Sequence, residues 1–343
     1  MLTRTRPVGA RATIRDVAAL AGVSPKSVSR VVNQVPGSSP KLKARVLDAI
    51  ERLDYRPDLT ASRLRRTDGR SATIGLVLED VSNPFSSALQ RAIEDVAMRR
   101  GVLVLAGSSD EDARREKHLI GAFASRRVDG LVIVPAGLDH SYLLSERKAG
   151  TAMVFVDRTP CFFDADSVVS DNIGGVRAGV RHLIDIGHRR IGYLGDVQTI
   201  ATAKLRYAGY REEMERHSLS LDADLVRLGV TGIDHAEEAA TELLSSDNPP
   251  TALFSAQNML TIGAYRALRK MGLEHRVALI GFDDFLLADM LQPGVTVVAQ
   301  DPTSMGRIAA ELLFRRLDGD DSATIGEVVP TKLIQRGSGE LQP

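Results

Sequence analysis

The chain has 343 residues, 43% hydrophobic and 26% charged, which suits two or three folded domains and excludes a disordered chain. Its formal net charge is zero, yet residues 1–70 hold 15 Lys and Arg against six Asp and Glu, a balance of +9 that leaves −9 for the remainder. A basic head on an acidic body fits a polyanion bound at one end only. The single cysteine, Cys161, excludes an internal disulfide framework and points to a reducing, cytoplasmic setting. The opening MLTRTRPVGARAT is basic without an apolar core, and no apolar run approaches a membrane span, so neither a secretory leader nor a membrane partner is expected.

In chain order, the first predicted element follows Thr13, which forms a capping box with Asp16, and Val17, Ala18 and Ala21 recur at helical spacing. Gly22 ends that helix. Ser24 can cap the next, with Pro25 at its first position, where a missing N–H costs nothing. Val28, Val31 and Val32 give the second helix its buried stripe, while Lys26 and Arg30, at i and i+4, share the other face with Ser29. Two short helices joined by a tight Gly-containing turn make a helix-turn-helix, which would offer Lys26 and Arg30 to base edges in a DNA major groove. Thr13, Ser24, Ser29 and Asn33, with Pro25 at the helix start, would hold phosphates. The same spacing also suits an ordinary helical hairpin with a solvated basic face.

A third helix is expected after Ser39, its stripe Leu42, Val46, Ile50 and Leu53 covering the first two. The head therefore spans residues 1–57. The polar, basic stretch 58–70 reads as a linker with at most one helical turn, which is too short to stand alone in water. From residue 72 the rhythm becomes strand, helix, strand. Apolar runs at 72–78, 102–107, 130–134, 152–156, 190–194, 252–255, 278–282 and 296–300 suit strands buried on both faces of parallel sheets. Helical stretches separate them near 84–100, 112–125, 140–148, 172–186, 202–217, 235–244, 259–271 and 302–317. The fold class expected is a small all-α helix-turn-helix domain joined to an α/β core of two doubly wound parallel-sheet lobes.

No catalytic constellation is found: the chain has no HExxH, GxSxG, Walker A loop or CxxC, and neither a metal nor a cofactor is expected. Gly174-Gly175 after Asp171 suits close helix packing better than a nucleotide loop. Ligands in open α/β sheets sit at the carboxyl ends of strands, so the cleft between the lobes is the expected small-molecule site. Phe85 follows the first core strand and suits either a ligand's apolar face or the core.

The phrases TIRDVAALAGVS, SVSRVVN, YRPDLTASRLRR, DVSNPF, RRVDGLVIVP, DNIGGVRAG, GHRRIGYLG and GFDD closely resemble the LacI/GalR repressor family, in order, over nearly the whole chain. The resemblance implies a cytoplasmic transcriptional repressor that binds a pseudo-palindromic operator as a homodimer, with a periplasmic-binding-protein-like core. It also implies that a sugar-like or nucleoside-like effector tunes operator affinity. It makes 58–70 a hinge helix that orders on DNA, with Ala61 at a matching hinge position and Leu64 a minor-groove wedge. It divides the core at 71–343 into an N-lobe (71–170 and 301–329) and a C-lobe (171–300 and 330–343). By the same matching Arg206 and Asp283 face the effector, and Asp157 and Phe254 join them. Ser86 stands where an aromatic is frequent, and Gln257-Asn258 where the usual pair is Asn-Asp. Two other classes fit parts of the chain: a transporter's solute-binding protein, against which the basic head argues, and a sugar-metabolising enzyme.

Overall fold

The computed structural model describes residues 12–32, 37–55 and 70–343. The expectations placed on Asn33, Ala61 and Leu64 lie outside the described residues. The chain forms two compact units that part between Ser71 and Ala72.

The first unit holds three helices, α1 (Ile14–Ala21), α2 (Pro25–Val32) and α3 (Pro40–Arg52). The Thr13 hydroxyl accepts the Asp16 amide at 3.4 Å, and the Asp16 carboxylate accepts the Thr13 amide at 2.8 Å, so each satisfies an amide that the helix start leaves without a partner. Gly22 ends α1 at φ 63°, a conformation that costs glycine nothing. The Ser24 hydroxyl accepts the Ser27 amide at 3.1 Å and starts α2. Val17, Val28 and Val46, one from each helix, have no exposed surface and form the centre of the small core. The Arg45 guanidinium of α3 donates to the carbonyls of Ala21 and Gly22, tying the third helix to the turn between the first two.

The second unit carries two six-stranded sheets. The N-lobe sheet contains β1 (Thr73–Leu78), β2 (Leu103–Ser108), β3 (Gly130–Ile133), β4 (Ala152–Val156), β5 (Asp166–Ser170) and β11 (Gly326–Val329). The C-lobe sheet contains β6 (Ile191–Leu194), β7 (Val226–Arg227), β8 (Ala252–Ser255), β9 (Ala278–Phe282), β10 (Thr296–Ala299) and β12 (Lys332–Ile334). The order β11-β5-β4-β3-β1-β2 in one sheet matches β12-β10-β9-β8-β6-β7 in the other, position for position. Every pairing is parallel except β10 with β12. The sequence reading named eight of these strands. Strands β5, β7, β11 and β12 escaped it because they are polar or very short; β7, β11 and β12 are edge strands with a pairing neighbour on one side only, and β5 lies beside β11.

Helices α4 (Pro84–Arg99), α5 (Ala113–Ser125) and α11 (Pro302–Leu317) flank the first sheet, and the short α6 (Leu144–Lys148) leads into β4. Helices α7 (Asn172–Ile186), α8 (Ala201–Arg216), α9 (Gly232–Leu244) and α10 (Asn258–Met271) flank the second. The chain therefore changes lobe between β5 and α7, between β10 and α11, and between β11 and β12. Asp171 caps α7 by accepting the Gly174 amide at 2.8 Å. Further along α7, a Cβ on Gly179 would stand 2.7 Å from the Phe254 ring, so the glycine lets the helix lie against the sheet.

Candidate functional sites

On the head, α2 buries Val28 and Val31 and leaves Lys26 and Arg30 exposed one turn apart. Thr13, Ser24 and Pro25 are exposed beside the two helix starts, and Ser29 is half-buried between Val28 and Arg30. This is the geometry a recognition helix needs: an apolar face that fixes the helix and an opposite face of long donors.

In the second unit a cavity of about 520 Å³ lies where the carboxyl ends of both sheets converge, and residues of both lobes line it. Two aspartates occupy matching places. Asp157 follows β4 and Asp283 follows β9, with left-handed backbone at φ 69° and φ 71°. The Asp157 amide donates to Val168 of β5 at 2.9 Å, and the Asp283 amide donates to Val298 of β10 at 2.9 Å. Both carboxylates are almost wholly buried and line the cavity.

Arg206, 6% exposed, reaches the cavity from α8. Its Nε donates to Asn172 Oδ1 at 2.8 Å, its Nη1 donates to the Ala256 carbonyl at 2.8 Å, and the Asp283 carboxylate lies 3.5 Å away. Its guanidinium sits 4.0 Å over the Phe282 ring, which holds the fork flat. The Gln300 amide donates to the other Asp283 oxygen at 2.5 Å. On the N-lobe side Arg158, next to Asp157, grips Glu111 with two hydrogen bonds of 2.6 and 2.7 Å and donates to the Pro135 carbonyl. Burial and the neighbouring Asp157 carboxylate push Glu79 up to about 8, against the pull of Arg158. Burial likewise raises Asp157 and Asp196. The lobes touch directly: the Asn258 amide at the start of α10 donates to Asn83 Oδ1 at the start of α4, at 2.9 Å.

Of the six effector residues expected from sequence, Phe85, Asp157, Arg206 and Asp283 line this cavity. Phe85 is 7% exposed and belongs to the N-lobe core while also lining the cavity. The other two are corrections. Phe254 is fully buried between β8 and the helices behind it, stacked 6.2 Å from Tyr193, because alternate strand residues face opposite ways. Ser86 is fully buried off the cavity wall, because one helical step of about 100° turns it away from the direction of Phe85. Sequence reasoning missed Glu79, Arg158 and Gln300, and named Asn258 only as part of the departure at Gln257-Asn258. The first three directly follow an apolar strand or stand one or two residues beyond it, a signal that was legible but shared with ordinary turn residues. Among the described residues no group of three or more His, Cys, Asp or Glu could hold a metal, and no helix is long and apolar enough to cross a membrane.

A helix-turn-helix head joined to a two-lobed core with a cleft at its strand ends defines a ligand-responsive DNA-binding regulator. The description of the bacterial regulatory proteins of the lacI family matches residues 13–58, and that of the periplasmic binding protein-like domain matches residues 180–339. The transcriptional regulator GalR of Escherichia coli strain K12 is 33% identical over 95% of this chain and 95% of its own. The ribose operon repressor of Halalkalibacterium halodurans is 31% identical over 94% of this chain and 96% of its own. Among solved structures, the lac repressor dimer bound to operator and the anti-inducer ONPF superposes with a TM-score of 0.85 at 26% identity, covering 97% of this chain and all of that one. The transcriptional regulator CelR in complex with cellobiose superposes at 0.70 with 31% identity, covering 96% of this chain and all of that one. The chain belongs to the LacI family. It is a DNA-binding transcriptional regulator, neither an enzyme nor the solute-binding protein of a transporter.

Proposed function

We propose that the chain represses transcription in the cytoplasm as a homodimer, and that a small polyhydroxylated molecule bound between the core lobes resets its affinity for a pseudo-palindromic operator. The observation that carries the reading is the cavity whose wall is shared by Phe85 and Asp157 from one lobe and Arg206 and Asp283 from the other. A ligand touching both walls favours whichever lobe arrangement it fits best, by its differential affinity. The hinge at 58–70, with Ala61 and Leu64, would pass that change to the heads. One head reads too few bases, whereas two on a two-fold axis read a palindrome through Lys26 and Arg30. The loop after β9 supports pairing with a second copy, since Leu286, Leu287 and Met290 stand exposed on it.

The test is a gel shift on operator DNA with the full chain and with a chain lacking residues 1–66, joined to a thermal-shift screen of sugars and nucleosides. Operator binding should need the head, and at least one polyol should raise the melting temperature of both proteins. Equal DNA binding without the head would overturn the reading.

A further inference from the structure

The cavity wall carries seven carboxylates (Glu79, Asp80, Asp110 and Glu111, with Asp157, Asp196 and Asp283) and only two cations, Arg158 and Arg206. Both guanidiniums are largely engaged by the protein. Arg158 is bound through both terminal nitrogens to Glu111 and Pro135; its Nε lies 3.2 Å from the Asp157 carboxylate but makes no hydrogen bond, a buried donor set against the acceptors of this wall. Arg206 spends Nε and Nη1 on Asn172, Ala256 and Asp283. Asp110 is neutralised by Arg115 at the rim. The carboxylates of Asp80 and Asp196, by contrast, have no guanidinium partner among the described residues and accept only from Ser82 and the Val197 amide, and Glu79 accepts the Asn83 side-chain amide at 3.2 Å with Arg158 4.0 Å away. The Gln300 Oε1 is buried in the same wall without a hydrogen-bond partner. The wall therefore presents acceptors in excess. An ammonium brings three donors and no acceptor, a hydroxyl brings one donor, and a phosphate or carboxylate at neutral pH brings acceptors only.

We propose that the effector carries a protonated amine, as an amino sugar or aminocyclitol does, and that the cleft rejects phosphorylated and carboxylated sugars. This rests on the reading of the interlobe cavity as the effector site. The amine would sit toward Glu79 or Asp196, which line the cavity just beyond the ends of β1 and β6, the matching strands of the two lobes. The hydroxyls would take Asp157, Asp283 and Gln300. A charge in so buried a place must be balanced. In the absence of a cation, Glu79 meets that need by holding a proton. Asp157, Glu111 and Asp283 crowd it and Arg158 offsets them only in part. An ammonium would take the proton's place.

The experiment uses the full chain at 0.15 M salt and titrates matched probes by calorimetry: glucosamine, galactosamine and the disaccharide of two glucosamines, each beside its neutral parent sugar and, for the hexoses, the 6-phosphate. At least one amine should bind ten-fold or more tighter than its neutral parent, and the phosphates should not bind. The paired substitution Glu79→Gln with Asp196→Asn should bring the amine-to-neutral ratio towards one. A neutral parent that binds as tightly as its amine, a phosphate that binds, or silence of every amine overturns the proposal. A neutral sugar whose binding is lost in Asp283→Ala leaves the effector-site reading standing while the amine is refuted. An amine that binds Asp283→Ala as tightly as the parent protein removes the site reading itself.

Discussion

Asp157 and Asp283 are structural counterparts: each caps the matching strand of its own lobe in left-handed backbone, and each donates its amide to the next strand at 2.9 Å. Their carboxylates thus reach the same cavity from opposite walls. Aspartate tolerates this conformation better than most residues, but it still costs about 1 kcal/mol, a strain that persists where side-chain direction matters. Asparagine keeps the conformation and removes the charge. Asp283→Asn should weaken effector binding about ten-fold or more, the size of a hydrogen bond to a charged group. Ligand-free operator affinity should be nearly unchanged, as judged by gel shift with effector titrated. An unaltered effector midpoint would make Asp283 a turn residue only.

Arg30 is exposed on the face of α2 opposite Val28 and Val31. Arg30→Ala should cost about 1–3 kcal/mol on operator and much less on random DNA, since base contacts carry specificity and phosphate contacts do not. Fluorescence anisotropy on both duplexes measures the difference. Equal losses would place Arg30 on phosphate.

Glu79 gives the core a pH signature. Its carboxyl is held up to about 8 in the fold, whereas an unfolded glutamate ionises near 4.5. Between those values the folded state holds a proton that the unfolded state has lost, so this group's contribution makes stability fall as pH rises from about 4.5 to 8. Above that window the penalty is constant. Glu79→Gln should flatten this part of the melting temperature against pH, and a slope identical to the parent's would show that Glu79 titrates normally.

The Asn258 amide to Asn83 carbonyl bond joins the lobes at 2.9 Å, and Asn258 has no exposed surface. Asn258→Ala leaves Asn83 Oδ1 bonded to the Phe85 amide, so the loss should be about 1 kcal/mol. The lobes should open more readily, seen as a larger radius in small-angle scattering of the ligand-free core. No change in either quantity would mean the contact is incidental.

The exposed Leu286, Leu287 and Met290 predict that Leu286→Asp with Met290→Asp weakens self-association by about 3 kcal/mol or more, the cost of burying charges without partners. Light scattering after gel filtration should show monomer, with operator affinity reduced. A dimer of parental strength would move the interface elsewhere.

The head was legible in the sequence because its information is local. The capping box at Thr13, the glycine at 22 and the valine stripe of α2 act within one or two turns, so spacing alone fixed the helices and put Lys26 and Arg30 outside. The alternation of apolar runs likewise gave eight strands and their helices, since a strand covered on both faces must be apolar throughout. The polar strands β5, β11 and β12 needed partners far along the chain before they could be recognised: β11 lies beside β5 and β12 beside β10. The cleft divided along the same line. Asp157 and Asp283 could be named from the ends of their strands, but whether a side chain faces the cavity or the core depends on the sheet's pleat and the helix behind it. Phe254 turned inward against Gly179 for that reason. Only the tertiary structure brought Asn83 to Asn258, 175 residues apart, and set Glu79 among carboxylates from distant strands, because proximity across two lobes is decided by how the sheets pack and not by any local pattern.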